Sequence, residues 1–175
     1  MAIKTMTAGA GTGQWAEGWH ELTVSEAKYG TWNDKKYLDV WFEGYPSSFN
    51  VRLYEAVNKE THEEFALATF FKVLNAGIID KIKSPSGKEA IQYDDDVEGL
   101  KGKRFNGLFY KDSSGYNKVS PRVAPVKQTG SVISYTDDDV GFWKKLAEKH
   151  RDEFLLKEKS ADTETATVTD EDVPF

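Results

Sequence analysis

Residues 37–54, YLDVWFEGYPSSFNVRLY, decide the fold. Leu38, Val40 and Phe42 alternate with Tyr37, Asp39, Trp41 and Glu43, the period of a strand with one buried face. Pro46-Ser47-Ser48 forms a turn, and beyond it Phe49, Val51 and Leu53 alternate with Asn50, Arg52 and Tyr54. Upstream, His20 to Val24 (HELTV) alternates in the same way. Residues 29–36 (YGTWNDKK) read as a turn-rich connection that places Trp32 in a loop. The region is a meander of three strands.

Downstream the period changes. Thr61-His62-Glu63-Glu64 matches a capping box, with Thr61 as N-cap, and Leu67, Phe70, Phe71, Leu74 and Ile78 recur at helical spacing up to Gly77, which is placed to end the helix. Residues 81–98 are polar and read as a connecting loop, with a short strand over 90–93 as its one regular element. Two strand candidates follow, 103–111 (KRFNGLFYK) and 116–126 (YNKVSPRVAPV), joined by the hairpin signal Asp112-Ser113-Ser114-Gly115. Pro121 and Pro125 mark the second as an edge or an ending strand. Thr136-Asp137-Asp138-Asp139 opens a second helix with acids at its positive end, and Val140, Trp143, Ala147, His150 and Phe154 form its apolar stripe. The order strand, strand, strand, helix, strand, strand predicts a mainly β protein. Its expected form is a five-stranded OB-fold barrel with a helix between strands 3 and 4, plus a C-terminal helix and a disordered acidic tail.

The domain boundaries follow from composition. Residues 1–13 are small, polar and glycine-rich and read as a flexible N-terminal arm; 14–127 form the OB-fold domain; 128–158 hold a connector and the C-terminal helix; 159–175 have no packing face and read as disordered. With no cysteine among 175 residues, disulfide scaffolds and cysteine-ligated metal sites are excluded. No apolar run approaches the ~18 residues of a membrane span, and the start lacks the apolar core of a secretory signal, so the expectation is an intracellular protein.

Net charge is −6, which argues against a nucleic-acid binder until the charge is mapped. Residues 160–175 carry five acids and no base, so the rest of the chain is nearly neutral, while 99–127 carry seven bases and one acid. A basic segment and an acidic end on one chain suggest competition between the tail and an anionic ligand. Sixteen flexible residues span roughly 20–24 Å, enough to reach over a domain whose radius of gyration is about 13 Å.

The chain ends Asp170-Glu171-Asp172-Val173-Pro174-Phe175, an aromatic anchor beside a terminal carboxylate, preceded by acids suited to a basic rim. These residues resemble the tip of bacterial single-stranded DNA-binding proteins, which typically end Asp-Asp-Asp-Ile/Leu-Pro-Phe; Glu171 and Val173 keep the charge and shape of the residues they replace. With its helical segment after the barrel, the body looks more like the single-stranded DNA-binding proteins of bacteriophages. The resemblance implies a non-enzymatic protein without cofactor or metal that coats exposed strands regardless of sequence during DNA replication, recombination and repair. It also implies that Asp170, Glu171, Asp172, Val173, Pro174 and Phe175 recruit partner enzymes in the host cell cytoplasm. Related proteins occur as monomers, dimers or tetramers, which leaves a homo-oligomer open.

Single-strand binders need aromatic faces for bases and a basic groove for the backbone. The stacking candidates are Trp32, Tyr37, Trp41, Tyr54, Tyr110 and Tyr116; the basic candidates are Arg52, Lys103, Arg104, Lys111, Lys118 and Arg122. Phe42, Phe49, Phe105 and Phe109 are expected in the core, while Trp41 and Tyr54 suit either role and Trp15 and Trp19 are undecided. Two competing readings exist: an adaptor whose barrel binds protein and whose tip imitates the bacterial signal to titrate host factors, and a metal-dependent nuclease using Asp94-Asp95-Asp96 or Asp137-Asp138-Asp139. Adjacent acids at loops and helix starts are more often caps, and His20, His62 and His150 show no zinc-ligand spacing.

Overall fold

The computed structural model describes residues 2–4, 14–83, 85 and 87–156. The 1–13 arm is therefore described only at residues 2–4, and the tail over 159–175, with Asp170, Glu171, Asp172, Val173, Pro174 and Phe175, lies outside the described residues.

The chain is mainly β. Its strands are β1 (Gly18–Trp32), β2 (Lys35–Phe42), β3 (Asn50–Tyr54), β4 (Ile78–Lys83), β5 (Glu89–Tyr93), β6 (Arg104–Lys111) and β7 (Asn117–Val119). Helix α1 (Ala66–Leu74) follows β3, and α2 (Asp137–His150) follows β7 and continues into a π-helical turn over Arg151–Leu155. Five strands form one curled antiparallel sheet in the order β3-β2-β1-β6-β7, and β4 and β5 form a separate ribbon. The edges β3 and β7 approach each other, but among the described residues no ladder joins them, so the sheet is a half-barrel.

Strand β1 makes this shape possible. Its first half pairs with β6 (Gly18 opposite Phe109, Thr23 opposite Arg104), and its second half pairs with β2 (Val24 opposite Phe42, Trp32 opposite Lys35). The ladder is irregular between Val24 and Glu26, where a bulge inserts one residue. Leu22 and Val24 point inward before it and Ala27 points inward after it, so the bulge bends the strand while keeping the buried face buried. The strand is far longer than the HELTV run because the connection to β2 is only Asn33-Asp34. Both residues have positive φ (51° and 63°), the backbone of a tight two-residue hairpin. Trp32 is therefore the last residue of a strand, correcting its placement in a loop.

Inside the curl, Leu22, Val24, Leu38, Val40, Phe42, Val51, Leu53, Phe105 and Phe109 meet Leu67, Phe70, Phe71 and Leu74 of α1. Phe49 joins them, so the four expected core phenylalanines are all buried. The cap of α1 differs from the expected box. The N-cap position is Phe65, without a side-chain cap bond, and the Glu64 carboxylate instead accepts from the Ala66, Leu67 and Ala68 N–H groups at 2.9–3.0 Å and from Ala56 N–H at 3.0 Å. The helix also stops earlier than expected, because Asn75 takes the left-handed conformation (φ 54°). Ile78 therefore opens β4, in a stretch expected to be helix and then loop. Helix α2 opens where expected, and it carries a capping box: Thr136 accepts from Asp139 N–H while Asp139 accepts from Thr136 N–H.

Candidate nucleic-acid interface

The outer face of β1, β2 and β3 gathers part of the expected set. Inward-pointing Leu38, Val40, Val51 and Leu53 fix the outward direction of Tyr37, Asp39, Trp41, Arg52 and Tyr54. Pairing then sets them in rows across the strands. Gly30, Tyr37 and Tyr54 stand in line, as do Lys28, Asp39 and Arg52, then Glu26, Trp41 and Asn50; Trp32 stands beside Lys35 at the hairpin end. The Tyr37 and Tyr54 rings meet edge to face at 5.8 Å. Trp32 is 60% exposed, and Trp41 is half-buried with its Nε1 donating to the Ser47 carbonyl at 2.9 Å.

Arg52 lies at the centre. Its Nε and an Nη donate to the two Asp39 carboxylate oxygens at 2.7 and 2.8 Å, and its guanidinium carbon sits 3.8 Å from the centre of the Tyr37 ring. The bond to Asp39, reinforced by Tyr54, raises its pKa above the ordinary arginine value, so the charge is permanent.

The remaining expected residues lie elsewhere. Tyr110, Lys111, Tyr116 and Lys118 belong to the β6–β7 hairpin, beside the start of β1; Tyr110 pairs with Lys118, and Tyr116 is 69% exposed. Lys103 and Arg104 stand at the opposite end of β6, near the β1 bend, where Arg104 pairs with Glu21 at 3.1 Å. Arg122 is half-buried among Trp143 and Ala147 of α2 and Phe70 of α1, where loss of water lowers its pKa. The structure therefore does not gather all twelve expected residues into one patch. Trp15 packs edge-on against Tyr45 and Phe49, and the Trp19 indole donates to Glu148 at 2.7 Å, which gives both undecided tryptophans structural contacts.

Sequence reasoning missed Gly30, Lys28 and Lys35 as members of this face, and read Asp39 only as outward-pointing. Their placement depends on the β1–β2 register, for which the short Asn33-Asp34 turn was the available signal. The acidic runs have structural occupations. Asp94 and Asp96 accept backbone N–H groups at the turn after β5, Asp95 pairs with Lys36 at 3.9 Å, and Asp139 caps α2. Among the described residues no group of three or more His, Cys, Asp or Glu side chains could hold a metal, and no helix is long and apolar enough to cross a membrane.

No protein-family model matches this chain, and no curated protein matches its sequence.

Proposed function

We propose that the protein is a non-enzymatic single-stranded DNA-binding protein whose half-barrel is an OB-fold. One long strand shared between two halves of the sheet, and a helix after the third strand, support that fold assignment. The observation that carries the functional reading is the ring-bearing outer face of β1–β3, where Trp32, Tyr37, Trp41 and Tyr54 stand with Lys28, Lys35 and Arg52. Rings at successive register positions suit consecutive bases, each stack contributing about 1–3 kcal/mol without base preference. The β6–β7 hairpin, with Tyr110, Lys111, Tyr116 and Lys118, is a second contact zone for a longer strand. In this reading the protein coats single strands in a host cytoplasm during replication, recombination and repair, and residues 170–175 recruit partner enzymes.

Titration with poly(dT), followed by tryptophan quenching, tests the reading. Saturable, salt-sensitive binding is expected, and its absence in dilute buffer would leave the adaptor reading in place. Deletion of residues 160–175 is expected to tighten binding most at low salt, since it removes five competing acids; equal affinities there would remove tail competition.

A further inference from the structure

Resting on that reading, we infer that Arg52 is a stacking plate for a nucleobase rather than a phosphate contact, and that Asp39 and Gly30 are the positioning residues that build it. Two N–H donors of Arg52, on one edge of the guanidinium, are committed within the protein. Nε and one Nη face the Asp39 carboxylate at 2.7 and 2.8 Å. The Asp39–Arg52 pair is neutral as a unit, so it adds little to the attraction for a phosphate chain. What it offers is a flat group. A bidentate carboxylate holds the guanidinium in a fixed plane, and the 3.8 Å separation from the Tyr37 ring is that of two flat groups in contact. The Arg52 side chain remains 42% exposed while Asp39 is 11% exposed, so the arginine is the outer member of the pair.

The layer below has its own requirement. A Cβ on Gly30 would come within 2.4 Å of the Tyr37 ring, so the ring lies against the β1 backbone where a side chain would otherwise stand. Gly30, Tyr37 and Arg52 thus form successive layers, and a base on the outer guanidinium face extends them. Arginine stacks on π-faces, which makes such a site tolerant of base identity.

The test uses the full chain, (dT)12 and an all-abasic strand of equal length and charge. For Arg52→Lys, which keeps the charge and loses the plane, the expected result is a roughly tenfold weaker complex with (dT)12 and an unchanged one with the abasic strand. The slope of log affinity against log salt stays at its wild-type value, since no phosphate contact is lost. Gly30→Ala, which changes no charge, is expected to reproduce the base-dependent loss by displacing Tyr37. A uniform loss on both strands, retention of (dT)12 affinity by Arg52→Lys, or full affinity in Gly30→Ala would overturn the plate while leaving single-strand binding intact. A wild-type protein that binds neither strand removes both readings.

Discussion

The two halves of the sheet's outer surface share β1 yet have opposite fates. At the start of β1, α2 reaches the outer face of the sheet: Trp19 donates to Glu148, Lys144 sits 5.5 Å from the Trp19 ring, and outward-pointing Leu108, opposite Trp19 in the ladder, is completely buried. The segment before α2 is tied to α1, where the Tyr135 hydroxyl donates to the Lys72 carbonyl at 2.6 Å and Asn75 donates to Gln128 and to the Ile133 carbonyl. Over β1, β2 and β3 no helix among the described residues lies on the rings and cations, and Trp32 is 60% exposed. Aromatic residues beneath a helix contribute to stability, whereas the same residue types on an uncovered face are free to serve a ligand.

Substitutions on the two halves should therefore separate stability from binding. The largest effect is expected for Leu108→Ala, which opens a cavity at a fully buried position opposite Trp19 and should cost about 2–5 kcal/mol in denaturant unfolding, with the oligonucleotide affinity of the folded protein retained. Parallel loss of affinity in that variant would mean that the covered half also binds. Next comes a pH effect confined to the covered half. Burial, with the Arg122 charge second, lowers the pKa of His150 from 6.5 to about 4. The unfolded chain takes up this proton near pH 6.5 and the folded chain only near 4, so the stability contributed by neutral His150 is complete above pH 6.5 and is lost as pH falls toward 4. The loss is about 3 kcal/mol at most, and His150→Gln should flatten this limb of the unfolding curve.

On the open half, Trp41→Ala should weaken poly(dT) binding by about 1–3 kcal/mol, with a stability loss smaller than that of Leu108→Ala. An unchanged affinity would assign Trp41 to structure through its bond to Ser47. The smallest effect is expected for Trp19→Phe, which keeps an aromatic ring and removes the indole donor to Glu148 together with part of the ring surface. It should cost about 1–2 kcal/mol of stability and leave oligonucleotide affinity unaltered.

The legibility of each part depended on how local its cause was. The inward residues of β2, β3 and β6 were readable, because alternation between apolar and polar positions is a property of neighbouring residues. The start of α2 at Thr136 with acids in its first turn was readable for the same reason. The second half of β1 was not, because the bulge after Val24 interrupts alternation and mimics the end of a strand. The cap of α1 was misread because Glu64 has a long side chain that can fold over its own helix start as easily as reach back to Thr61, and the bond to Ala56 N–H favours the former. The β4–β5 ribbon was largely hidden, since Ile79 and Ile82 are exposed and show no buried face.

The sequence by itself determined which side chains of β2 and β3 face outward, and the charge division between the body and residues 160–175, because both follow from spacing and composition along the chain. Only the tertiary structure decided that Asp39 opposes Arg52, that Gly30 lies beneath Tyr37, and that Arg122 turns inward beneath α2. Those relations depend on strand register and on helix docking, which are set by the closure of one core from segments far apart in the chain.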